Sequence, residues 1–263
     1  MISWIIILVI AIVLFFILFK IVKSMIKTFL VLSFIFLIVM GIFTIFLLKE
    51  VNDLKEEFPD SQKLFVVEHQ GNIVSATPAS VMEFGEDNPP KGLPKDKLDE
   101  MNLDYNPKDL SSIIGHNFVV ILIKSDMLYD ALPDVIKMES EDSNGSDNSS
   151  TFAKEEFINI ILSEKPSDII LKKAIESNGW EVSDEIKEEV RKQILRDGNE
   201  EDIRSQFVMI GFSLIIEEKG IPYLISQMKE DNFIIYPDFL IFGVIKKIPD
   251  FFISLAVKTA DKK

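Results

Sequence analysis

Between residues 2 and 48 the polar positions nearly vanish. The only charged side chains there are Lys20, Lys23 and Lys27, and they divide the stretch into two apolar runs, residues 2–19 and 28–48. Each run can cross a hydrocarbon core of roughly 30 Å at about 1.5 Å per helical residue. In lipid every backbone amide has to be satisfied within the segment, so each run is expected to be a helix. The pattern predicts a two-helix transmembrane hairpin over residues 1–48, spanning about 2–19 and 28–48 and turning at the lysines. A single helix would be about 70 Å long and would leave a strongly apolar half in water. A cleaved signal peptide fits poorly, because no Lys or Arg precedes the first run and no small-residue cleavage site follows it.

Past Leu48 the pattern changes to short periodic segments. Two β-rich runs, 64–68 and 73–76, flank His69-Gln70-Gly71-Asn72, which reads as a β-hairpin. Residues 78–107, with Pro89, Pro90, Gly92 and Pro94, read as irregular. Asn106-Pro107 opens a short helix ending before Gly115. The unbroken run Phe118, Val119, Val120, Ile121, Leu122, Ile123 suits a buried central strand. Residues 139–151 are acidic, amide or small and predict a disordered linker.

From there on the period is helical. Helices are expected over 151–162, over 166–178 between Pro166 and Gly179, and over 183–197 with Ser183 as cap. Residues 200–217 should form the most buried helix, followed by 222–230, a strand at 233–236 and an amphipathic helix over 238–257. Phe207, Ile210 and Leu214 share one helical stripe, and Val119 and Ile121 share one strand face, so the two should cover each other.

The fold class that results is α+β, mainly helical: the hairpin, then a water-soluble part with a small sheet and a helical C-terminal half. Its divisions are 1–48, an α+β region at 49–138, the linker at 139–151 and a helical region at 152–263.

Charge narrows the partners. Beyond Leu48 there are 25 basic and 42 acidic residues, a net −17, which repels nucleic acid and anionic headgroups. No ionisable group falls inside either apolar run, which favours an anchor over a pore or carrier. Three lysines within the eight residues 20–27 favour a cytoplasmic turn, a two-pass topology and an extracytoplasmic soluble domain. Absence of cysteine removes disulfides, thiol nucleophiles and thiolate metal sites.

Candidate chemistry is sparse. His69 and His116 are the whole imidazole inventory, too few for a histidine metal cluster. A Ser–His–Asp arrangement with either lacks a G-x-S-x-G elbow, and no phosphate-binding glycine loop occurs. Aligning Gly145 to a calcium loop puts Ser140 and Thr151 where carboxylates are needed. No catalytic, cofactor-binding or metal-ligating residue is therefore assigned. Asn144 and Asn148 open N-x-[ST] sequons that could be glycosylated on an outward-facing loop.

Residues 174–190, with Gly179-Trp180-Glu181-Val182-Ser183-Asp184, resemble segments in the helical substrate-binding region of membrane-anchored periplasmic prolyl-isomerase chaperones, without an isomerase domain beside them. The expectation that follows is a membrane-anchored, non-catalytic protein. It would be held in the bilayer through residues 2–48, with an acidic domain that binds a protein partner, forms a homo-oligomer or joins an envelope assembly. A folding or quality-control helper and a tethered hydrolase are the alternatives.

Overall fold

The computed structural model describes residues 2–57, 62–79, 89–107, 109–113, 118–141, 147–179, 182–195, 198–237 and 239–249. The described residues are mainly helical, with small sheets, and the chain divides into two units, Met1–Asn52 and Asp53–Lys263.

The first unit departs from expectation. One uninterrupted helix, α1 (Ile2–Glu57), runs through both apolar segments and the three lysines between them, where a hairpin was predicted. The local sequence explains this. Residues 20–27 hold neither Gly nor Pro, and lysine is itself a good helix former, so nothing releases the backbone from its i→i−4 bonds. Within α1, Lys27–Asp53 is long and apolar enough to cross a membrane, with mean hydropathy 2.9. From Phe29 to Leu48 the large apolar side chains stand in the open, Phe29 at 71% and Ile45 at 69% exposure.

The second unit is built on a four-stranded sheet, order β2–β1–β3–β6. Strands β1 (Gln62–His69) and β2 (Asn72–Ala79) form the expected antiparallel hairpin. Its two-residue turn places Gln70 at φ 51° and Gly71 at φ 83°. Both angles are left-handed, as the right-handed twist of a tight hairpin requires, and Gly71 takes its angle without a Cβ penalty. Strand β3 (Phe118–Lys124) runs parallel to β1 and lies centrally, as its unbroken apolar run implies. On its other side β6 (Phe233–Tyr236) pairs antiparallel.

Alternation sends the central strands' side chains to two cores. Phe65, Val67, Val119, Ile121 and Ile123 join the large cluster. Leu64, Val66, Val120 and Leu122 join Leu98 and Met101 in the smaller one. Those last two residues belong to α2 (Lys95–Asp104), a helix inside the segment expected to be irregular. Leu98 and Met101, three apart, supply only a narrow apolar stripe in an otherwise polar stretch. The expected helix at 107–114 is a single 3-10 turn, Leu110–Ser112, capped by Asp109 rather than Asn106. A short helix, α3 (Ser125–Ala131), follows β3 directly.

The segment expected to be a disordered linker contributes most of a second hairpin. Strand β4 (Val135–Glu141) pairs antiparallel with β5 (Asp147–Ala153); residues 142–146, Asn144 among them, lie outside the described residues. Polar composition does not bar ladder hydrogen bonds. The arms are rooted where they leave the core, at the Ile136–Phe152 pair, both buried.

Helices α4 (Lys154–Leu162), α5 (Pro166–Asn178), α6 (Asp184–Ile194) and α7 (Glu200–Lys229) complete the large core, and α8 (Leu240–Lys247) follows β6. α5 has the expected bounds, ending at Gly179. The N-cap of α4 is Ala153, not Thr151, and Ala153 N–H donates to the Glu156 carboxylate. α7 joins the two helices expected at 200–217 and 222–230 through a kink at Gly220. Phe207 packs edge-on to Phe152 and tilted against Phe157, at centroid distances of 5.6 and 5.0 Å. Val119, Ile121, Ile210 and Leu214 belong to the same cluster.

Candidate functional site

Parallel pairing of β1 with β3 sets Glu68 opposite Lys124, so the next residues, His69 and Ser125, meet where both strands end. His69 Nδ1 lies 2.7 Å from Ser125 Oγ. Among the described residues this is the constellation in which a histidine found by sequence acquires a serine partner, 56 residues away. The serine is only 4% exposed. A serine nucleophile has to reach a substrate carbonyl, and one enclosed at the root of α3 serves instead to hold the helix start to the strand. Beside it, Glu68 accepts from Gly71 N–H at 2.8 Å and closes the turn. Burial, followed by the nearby Glu68 carboxylate, pushes the Tyr105 phenol well up. His116 lies outside the described residues.

The sheet's two edges are treated differently. β2 is one edge, and side chains occupy its outward backbone groups. Asn102 Oδ1 accepts from Ile73 N–H at 2.6 Å, and Asn102 Nδ2 donates to Ile73 O at 2.9 Å, so one amide takes the place of a neighbouring strand. Leu93 N–H donates to Ala76 O at 2.8 Å. Arg204, only 6% exposed, donates to Val74 O at 2.5 Å and to Ser163 O at 2.8 Å. Its burial lowers the guanidinium pKa from the ordinary value. The approach is close: a Cβ on Gly92 would meet the Glu201 carbonyl and the Ser205 hydroxyl, and Gly92 N–H donates to Asp202 Oδ1 at 2.9 Å. Only glycine fits there. A cavity of about 270 Å³ beside Arg204 is lined by Ile73, Val74, Asn102 and Arg204 of this cap and by Lys95, Asp99 and Glu164 around it.

β6, the other edge, has no strand beyond it among the described residues, with Phe233 buried and Ile234, Ile235 and Tyr236 half-buried. Lys124 N–H donates to Asn232 O at 3.0 Å, which with the register fixes the alternation. Ile234 and Tyr236 turn their backbone groups towards β3, while Phe233 and Ile235 turn theirs away. Among the described residues nothing bonds to the outward groups of Phe233 and Ile235. A cavity of about 480 Å³ lies against this edge. Leu110, Ile234 and Tyr236 line it from the smaller core's side, and Met228, Ile235 and Phe242 from the larger core's side, so it straddles the strand. Lys124, Lys246 and Asp231 also line it. Lys246 is paired with Asp231 at 2.9 Å, whereas Lys124 makes no ion pair among the described residues.

Sequence reasoning missed this site. It found the strand at 233–236, but neither its place at an edge nor the missing neighbour leaves a mark in a four-residue apolar run. The sequon at Asn148 falls on β5, opposite Ser140. Searches with this sequence and structure matched no family model, no curated protein and no solved structure.

Proposed function

We propose that this is a membrane-anchored, non-catalytic protein whose soluble unit binds another protein on the side of the β6 edge. One observation carries the reading: of two sheet edges, β2 is capped by Asn102, Leu93 and Arg204, while β6 has no strand beyond it among the described residues and lines a groove. Unpaired edges invite aggregation, and proteins that leave one open use it for recognition.

Residues 2–48 supply the anchor. The exposed apolar surface from Phe29 to Leu48 has no other favourable place in water. With the lysine cluster at 20–27 on the cytoplasmic side of that span, the soluble unit lies outside. A tethered hydrolase is disfavoured by the enclosed Ser125 hydroxyl.

The test is extraction of membranes from cells making the full chain, followed by mass measurement in detergent. The chain should stay with the membrane through alkaline washing, and the particle should exceed the 30.0 kDa monomer. Recovery in the wash, or a monomer at every concentration, overturns the reading. Protease added outside intact cells should digest the soluble unit; protection would reverse the orientation.

A further inference from the structure

The cavity beside the β2 edge is walled by a buried cation with no bonded counter-charge. Arg204 lines it, is 6% exposed, bonds to the carbonyls of Val74 and Ser163, and leaves its Nε without a partner. Among the described residues no carboxylate bonds to it; Glu201, Glu200 and Glu164 act on it through space. Capping carbonyls asks for donors, not for a charge, and on the same edge Asn102 donates to Ile73 O with a neutral amide. Burying a full charge for that purpose is costly, and a guanidinium with unused N–H groups readily takes a carboxylate.

We propose that this cavity binds a free α-amino acid with a small apolar side chain, its carboxylate on Arg204 and its ammonium towards the acids of the rim. The lining charges are graded by depth. Arg204 is buried, whereas Asp99 and Glu164 are exposed and Glu201 is half-buried. Lys95, also at the rim, is paired with Glu164 at 3.6 Å. An anion alone would reach the guanidinium past three carboxylates, and a cation alone would end against it. A zwitterion meets both signs in the order the wall presents them. Ile73 and Leu98, both buried, and Leu162 supply apolar wall for the side chain. The volume of about 270 Å³ lies just below the roughly 300–1,000 Å³ of drug-sized pockets, which limits that side chain to a few carbons. The site lies at the opposite edge of the sheet from β6 and does not depend on the protein-binding reading.

The probes are L-valine, isovalerate, which lacks its ammonium, and isobutylamine, which lacks its carboxylate. Each is titrated into the full chain in detergent by calorimetry. L-valine should bind saturably and raise the melting temperature, and the other two should bind at least about tenfold more weakly. Exchanging Asp99→Asn together with Glu164→Gln alters two exposed side chains. It should leave the melting temperature of the free chain in place and cut the preference for L-valine over isovalerate by at least about threefold. Arg204→Lys should weaken L-valine and isovalerate alike, by at least about tenfold, because an ammonium cannot reproduce the planar fork. Where Arg204→Lys fails to fold, the rim exchange decides.

No saturable binding of L-valine overturns the inference. Isovalerate binding as tightly as L-valine also overturns it and gives the cavity to an anion; isobutylamine doing so gives it to a cation, and the inference falls there too. L-valine binding that neither the rim exchange nor a folded Arg204→Lys chain changes places the amino acid elsewhere on the protein and sinks the assignment of this cavity.

Discussion

Arg204 shows how much one side chain can hold. Its two terminal nitrogens join the β2 edge to the loop after α4, through Val74 O and Ser163 O. Arg204→Met would leave two carbonyls short of a donor in a buried place and should cost roughly 3 kcal/mol. Arg204→Lys should recover less than half of that, because one ammonium on a flexible stem cannot span both acceptors. Thermal melting of the three proteins checks this; full rescue by lysine would mean that charge alone matters. Phe207 makes the apolar counterpart. It is 6% exposed and touches Phe152 and Phe157, so Phe207→Ala should cost roughly 3–5 kcal/mol through lost transfer energy and a cavity. An unshifted melt would remove Phe207 from the core.

Among elements, α4 and α5 are tied by a charged link that responds to pH. Glu156 accepts from Lys173 Nζ and from Ala153 N–H. The Lys173 ammonium and then the Ala153 amide hold the Glu156 carboxyl below its ordinary value of 4.5. A depressed acid stabilises the fold fully above the unfolded value, and that share is lost as pH falls through the lower folded value. The pair is partly exposed, so the effect is kept to about 1 kcal/mol. The melting temperature of Glu156→Gln should therefore trail the parent by a few degrees at pH 7 and match it near pH 3. A gap that persists in acid would assign the loss to packing. The β4–β5 hairpin belongs to this scale as well. Its outer arms carry a polar sequence, yet the Ile136–Phe152 root fixes the register from which the ladder extends.

For the molecule as a whole, the governing fact is the division at residue 52, between an exposed apolar helix and a unit with two cores of its own. A chain beginning at Asp53 should be soluble and monodisperse without detergent, and its unfolding should remain cooperative. Sedimentation and melting check both. Aggregation of that shortened chain would mean that residues 2–52 cover part of the soluble unit.

What the sequence determined by itself was whatever depends on neighbours along the chain. The apolar stretch near the start, the Gly71 turn, the central run of β3 and the Pro166–Gly179 bounds of α5 all follow from local period and backbone preference. Three features depended on partners distant in sequence. His69 meets Ser125 because β1 lies parallel to β3. The β2 edge is closed by Asn102 and Arg204, 29 and 130 residues away from the groups they bond. β6 ends the sheet, with no strand beyond it among the described residues, because of how distant segments pack. The continuous α1 marks the reverse limit: solvation cost argued for a turn at the lysines, but residues 20–27 contain nothing that breaks a helix, and the local backbone bonds carry through. Period and propensity act over a few residues, whereas edges, pairings and grooves arise only when distant segments pack together.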